Sequence, residues 1–199
     1  MEINKEQNEK IFKELYNKYI KREGAQDLLN WITTNDFFEA PASSKFHLDV
    51  AGGLCEHSLN VYRNLKRLVD SEKEVHPELN ISDESIAICG LLHDLCKVNF
   101  YKIEYRNAKN DLGQWEKVPM YTTDEKAPWG HGEKSVIIIL MFMKLTGDEI
   151  SAINWHMGGF DDRVRGGASK TISNAYEKYP LAVLTQAADF IATYIDEKK

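Results

Sequence analysis

The chain has 199 residues, a net charge of −6 and a composition of 43% hydrophobic and 28% charged residues, which suits one globular domain with a sizeable core. An acidic chain without a basic block has no broad electrostatic grip on long nucleic acid, but a few local cations can still hold a small nucleotide or a strand end. The longest apolar run, near Val136–Met143, is far short of a bilayer span, and the start M-E-I-N-K-E lacks the apolar stretch of a signal peptide, so a cytoplasmic protein with no membrane contact is expected.

Residues 5–22 read as an amphipathic helix, with Ile11, Leu15 and Tyr19 beside Phe12, Tyr16 and Ile20 at spacings of four. Gly24 stops it, and a second helix over 25–33 follows. Phe37 to Ser44 is loop-like, and Phe46–Val50 reads as a short extended piece containing His47, a polar loop residue or a lining residue of a site. These first 50 residues are expected to form a helical cap on the core built by 51–199, within a single domain. Gly52-Gly53 leads into a helix over 54–70 with the stripe Leu54, Val61, Leu65 and Leu68, and His57 one turn in. Glu56 is a candidate acceptor for an imidazole N–H; His76, beside Pro77, reads as surface. Ser82-Asp83 is a helix cap for S-I-A-I-C-G-L-L-H-D-L-C-K, an apolar run that ends in His93-Asp94 with Lys97 three residues on.

Asn99–Tyr121 alternates, turns at N-D-L-G and alternates again, which predicts an inserted β-hairpin, with Pro119 confining its strand to an edge. Its aromatics (Phe100, Tyr101, Tyr105, Trp115, Tyr121) are expected to pack on the core, the other reading being a wall of a substrate cleft. His131, between Gly130 and Gly132, sits at the start of a helix over 132–145; G-H-G-E-K-S lacks the spacing of a phosphate-cradling loop, and Lys134 reads as solvated. A helix from Gly147-Asp148 runs to His156. The loop 160–169 carries Arg163 and Arg165, a solvated stretch or a phosphate-gripping lid. A short helix over 170–178 precedes a last one from Pro180, whose stripe of Leu181, Leu184, Ala188 and Ile191 encloses Asp189. Cys55, Cys89 and Cys96, odd in number and without C-x-x-C spacing, read as buried reduced thiols.

Burying the His93-Asp94 pair and Asp189 is costly unless a cation compensates, and imidazole and carboxylate together are natural ligands of divalent metals. G-G-L-C-E-H-S-L, then H-D-L-C-K, then A-A-D-F-I, spread over 54–195, resembles the HD-domain superfamily of metal-dependent phosphohydrolases. The resemblance implies a mostly α fold, an HD-domain helical bundle, with His57, His93, Asp94 and Asp189 around one ion. His131 and His156, with Asp94 bridging, would hold a second; the extra histidines look like those of HD-GYP phosphodiesterases and exoribonuclease-associated HD domains. Those usually carry His-His where this chain has His156-Met157.

Lys97 stands in the H-D-x-x-K form of the motif, where it would hold a non-bridging phosphate oxygen, with Arg163 and Arg165 as further substrate contacts. One or two ions of Mn, Fe, Co, Ni or Zn per chain are expected, since mixed imidazole and carboxylate ligands suit these metals. The expected reaction is hydrolysis of a phosphodiester of a nucleotide or oligonucleotide, with Asp94 and Lys97 as the catalytic residues. The alternatives are a nucleotide phosphomonoesterase or triphosphohydrolase, and a metal-containing nucleotide-binding module without turnover. Nothing in the sequence specifies an oligomer.

Overall fold

Eight α-helices and one two-stranded antiparallel hairpin make up residues 3–198, the described part of the computed structural model. Helix α1 (Lys5–Tyr19) starts where the Asn4 side chain accepts from the Gln7 amide and buries Phe12 and Tyr16 one turn apart. Helix α2 (Ala25–Thr34) follows the left-handed Gly24, with Leu28, Leu29 and Ile32 turned inward. These two helices share one hydrophobic core with the rest of the chain: Phe12, Leu28 and Phe37 belong to the same buried cluster as Leu91, Ile139 and Leu181.

Helix α3 (Gly53–Val75) runs five residues beyond the predicted end at 70, to a cap at His76. Helix α4 (Asp83–Leu92) is capped by the Ser82 hydroxyl, which accepts from the Ser85 amide, and is buried over the whole of Ile86–Leu92, as an all-round apolar run requires. The two cross closely at Gly90, where a Cβ would come within 2.6 Å of the Tyr62 Cα. That contact sets the distance between His57 on α3 and His93 at the end of α4.

The chain leaves α4 through a 3-10 turn, Leu95–Lys97, and enters strands β1 (Tyr101–Lys109) and β2 (Trp115–Thr123). The hairpin thus lies two residues later than predicted, paired from Tyr101 with Thr123 to Lys109 with Trp115. The expectation that its aromatics pack on the core fails for Tyr105 and Trp115, which are 69% and 70% exposed. A two-stranded ribbon has two open faces; Tyr101 at its base lines the central cavity, and Ile103, Arg106 and Met120 further along face the segment 44–51 across a second one.

Helix α5 (His131–Leu140) ends five residues before the predicted 145. Its last apolar residues leave the helix because Phe142 and Met143 lie against Gly24 at the head of α2. Helix α6 (Gly147–Asn154) opens with a reciprocal capping box of Thr146 and Glu149. Gly132 on α5 sits so close to Asn154 that a Cβ would meet its carbonyl oxygen at 2.2 Å, which brings His131 towards His156. A 3-10 turn (Gly158–Phe160) and a wide π turn (Val164–Ala168), broken at Gly167, lead to α7 (Ser169–Lys178). Helix α8 (Pro180–Ile191) then packs on α3 and α6 and continues as a π turn, Ala192–Asp196.

Arg22, just past α1, ties α4 to α6. It pairs with both oxygens of the fully buried Glu149 at 2.8 and 3.0 Å and with Glu84 at 3.1 Å. The Phe46–Val50 segment is a turn rather than an extended piece: Ser43 Oγ accepts from the Phe46 amide and donates to the His47 carbonyl, and Leu48 is left-handed. The three cysteines are free and buried, as expected. No helix among the described residues is long and apolar enough to cross a membrane.

Candidate metal centre

Five helices and one turn bring the predicted histidines and aspartates to one buried point. His57 comes from the start of the second turn of α3, His93 from the end of α4, Asp94 from the turn that follows, His131 from the start of α5, His156 from just beyond α6 and Asp189 from α8. The rings of His57 and His93, His93 and His156, and His156 and His131 have centroids 5.2, 4.9 and 5.1 Å apart. Asp94 lies between them. Its Oδ2 faces His57 and His93 Nε2, both at 3.5 Å, and Lys97 Nζ at 2.6 Å. Its Oδ1 faces His131 Nε2 at 2.9 Å and His156 Nε2 at 3.4 Å. Asp189 Oδ1 is 3.2 Å from His57 Nε2. Three triads in this group have ligand atoms close enough to share one ion: His57, His93 and Asp94; His93, His156 and Asp189; Asp94, His131 and His156.

The outward ring nitrogens fix how the inward ones point. His93 Nδ1 donates to the Gly90 carbonyl at 3.1 Å and His156 Nδ1 to the Ile153 carbonyl at 2.6 Å, so each turns an Nε2 lone pair into the centre. His156 Nε2 is buried and makes no hydrogen bond among the described residues. His57 Nδ1 is held by Glu197, 3.0 Å to Oε1, a residue the sequence reading missed. Asn60 Nδ2 donates to the same carboxylate at 3.0 Å, and His47 Nδ1 reaches its other oxygen. The signal for it is local: His57, Asn60 and Asn64 follow one another at helical spacing, and Asn64 donates to Asp196 at 2.6 Å, so one face of α3 grips the chain end. Glu56, the residue proposed for this role, instead accepts from Asn8 at 2.5 Å, because its position on α3 turns it towards α1.

The electrostatics show a site short of positive charge. Burial disfavours a protonated His57, but Glu197 and Asp189 on its two nitrogens raise its pKa to about 10. Burial would raise Asp94, yet Lys97, then His93, hold it well below the usual carboxylate range. Asp189 is likewise held low against its burial by His57. Burial keeps His93 and His131 below the ordinary histidine value; burial also opposes a charge on His156, but the carboxylate of Asp94, 3.4 Å from its Nε2, outweighs it and raises its pKa. Inward lone pairs, an unpaired buried imidazole nitrogen and two carboxylates fit a divalent cation, whose charge would replace the proton on His57.

The cluster forms the floor of a cavity of about 540 Å³, a volume suited to a nucleotide-sized ligand. Its walls include Lys97, Tyr101, His47, Phe160, Arg165, Phe190 and Tyr194. Burial opposes the charge on Lys97, but Asp94 beside it holds the ammonium above the ordinary lysine value. The two arginines differ. Arg163 does not line the cavity: it grips Asp161 and Asn154, pairs with Glu133 at 2.5 Å and lies over the Trp155 ring at 4.0 Å, which builds it into the loop. Arg165 lines the cavity and, among the described residues, is paired only with Asp162, at 3.9 Å. Lys134, expected in solvent, is buried, pairs with Glu125 at 2.7 Å and lies over Phe100, so α5 opens on an internal ion pair.

A helical bundle whose helix ends deliver four imidazoles and two carboxylates to one buried floor defines a protein built to hold divalent metal. The HD domain family model matches residues 54–192, from α3 to the start of the last turn, and the chain belongs to that family. Members are in general metal-dependent hydrolases of a phosphohydrolase superfamily and bind divalent metals. No curated protein and no solved structure matched the chain.

Proposed function

We propose that this protein hydrolyses a phosphodiester of a nucleotide or of an oligonucleotide end, using divalent transition metal held by His57, His93, Asp94 and Asp189, with His131 and His156 completing a second position. The observation that supports this reading is the division of Asp94, whose two oxygens face two different pairs of imidazoles. A carboxylate placed this way suits a bridge between two ions, the arrangement that clamps both the attacking and the leaving oxygen of a phosphoryl transfer. The bound metal supplies Lewis acidity and lowers the pKa of water.

The chain's own residues do the rest. Lys97 is charged across the neutral range, and one of its N–H donors turns from Asp94 to a non-bridging phosphate oxygen. Glu197, through His57 Nδ1, keeps the facing Nε2 directed at the centre. Arg165 offers a second cation at the rim, while Arg163 positions the loop that carries it. Burial of the floor keeps bulk water away from Asp94 and His93.

The test is release of nitrophenolate from bis-(p-nitrophenyl) phosphate with added Mn²⁺. Turnover that depends on the metal is expected, and Asp94→Ala should lose both activity and metal while keeping its helical content. Release of inorganic phosphate from nucleoside monophosphates, with no turnover of the diester, would replace the diesterase by a phosphomonoesterase. A metal-loaded protein inert on both would make it a binding module.

A further inference from the structure

Three aromatic side chains on the wall of the cavity have no core to pack into. Phe160, Phe190 and Tyr194 are 44%, 37% and 57% exposed. They form a continuous row: Phe160 and Phe190 have ring centroids 5.8 Å apart at 40°, and Phe190 and Tyr194 are 5.5 Å apart at 41°. Phe190 and Tyr194 are one turn apart at the end of α8, and Phe190 directly follows Asp189 on the metal-site floor. All three line the cavity that also contains Asp94 and Lys97. Arg165 lies over Phe160, 5.4 Å from the ring centroid, with a single weak partner.

A row of large rings exposed at a cavity rim, flanked by a loosely held cation, indicates what the cavity takes beside the phosphate. The rings are tilted by about 40° to one another, so they do not stack fully on each other and each keeps exposed surface towards the cavity, and a flat heteroaromatic ring is the ligand that gains most from such surface. The cation over one ring suits a phosphate attached to that ligand. An aliphatic chain would gain nothing from the ring faces beyond area, and a sugar can lay only its C–H face on a ring, without the full π-stacking that a base makes.

We propose that Phe160, Phe190 and Tyr194 form a stacking subsite for the base of a nucleotide whose phosphate is held between Lys97 and Arg165. The subsite makes the enzyme selective for nucleobase-bearing phosphoesters over phosphorylated sugars of the same charge. This rests on the phosphohydrolase reading above and adds the part of the substrate that is not phosphate.

The experiment is calorimetric binding of two probes, adenosine monophosphate and ribose 5-phosphate, to the 199-residue chain loaded with Mn²⁺. They share the phosphate and the sugar and differ in the base. Wild-type protein should bind adenosine monophosphate about tenfold or more tightly, the return expected from one stacked base. The double variant Phe190→Leu with Tyr194→Leu keeps apolar bulk and removes the rings; its preference should fall to near one with ribose 5-phosphate binding unchanged. Should the double variant fail to fold, Tyr194→Leu alone, at the most exposed ring, should lose part of the preference. Equal binding of both probes by the wild type overturns the subsite and leaves the phosphohydrolase reading standing. Binding of neither overturns both. A preference retained in the variant puts the base elsewhere and overturns the subsite.

Discussion

Replacing Glu197 by glutamine probes whether the chain end belongs to the metal site or only tethers it. The buried carboxylate receives three donors: His57 Nδ1 at 3.0 Å, Asn60 Nδ2 at 3.0 Å and His47 Nδ1. Glutamine keeps the shape but offers one acceptor oxygen, and its NH₂ must face a donor. At least one imidazole then loses its partner. If that is His57, its Nε2 is no longer fixed towards Asp94 and Asp189, and the ring becomes a poorer ligand. Loss of such an outer partner lowers metal affinity by about 10- to 100-fold, or about 1.4–2.7 kcal/mol. The assay is competition for Mn²⁺ against a calibrated chelator, alongside a thermal melt. A weaker metal affinity with a small shift in melting temperature is expected. A lower melting temperature with unchanged metal affinity would refute the reasoning and leave Glu197 as a structural tether.

Lys97→Ala should retain metal and weaken inorganic phosphate binding by about 10- to 100-fold, the scale of a charge-assisted hydrogen bond of about 1.5–3 kcal/mol; phosphate binding measured by calorimetry at wild-type strength would exclude the residue from substrate contact. Two ions per chain are expected by elemental analysis of protein purified without chelator or affinity metal, and one ion would turn His131 and His156 into substrate-facing groups. Glu149 gives a pH dependence of stability. Burial would raise its pKa, but Arg22 holds it low, so its stabilisation is full above the ordinary carboxylate range and is lost as pH falls through the lower folded value. Glu149→Gln should therefore destabilise the protein by about 3 kcal/mol at neutral pH, where half of a buried pair is lost, and flatten the acid limb of stability followed by urea denaturation.

The six residues expected to hold metal meet at one point, and four of them stand out in the sequence because they break a pattern: a charged pair ending an apolar run, an acid inside an apolar stripe, a histidine between two glycines. All eight helices are also expected from the sequence, by a 3.6-residue stripe for α1, α3 and α8 and otherwise by caps, glycine stops and apolar runs, such as the all-round buried α4. What the sequence hid depends on crossings between distant segments. Glu197 reads as one more acid in a charged tail, D-E-K-K, until α8 and its π turn lay it on α3. Arg163 and Lys134 read as free cations because their partners, Glu133 with Asp161 and Glu125, meet them only after the loops have folded. The early end of α5 has the same origin, since its last apolar residues are set by the head of α2 rather than by helix propensity.

The charge of the site explains how an acidic chain can handle an anion. Without metal, the carboxylates of Asp94, Asp189 and, behind His57, Glu197 stand against Lys97, Arg165 and the proton that His57 holds, so the site is near neutral and has little net pull on phosphate; a divalent ion replaces that proton. One divalent ion makes it positive by one, and two make it positive by three. The attraction for phosphate therefore follows from loading the site, not from the fold's own surface. Because the floor is buried, that attraction is screened by salt far less than a surface patch would be. In the proposed enzyme, metal binding and phosphate binding are thus one linked equilibrium: metal raises the affinity for phosphate, and phosphate by the same factor holds the metal.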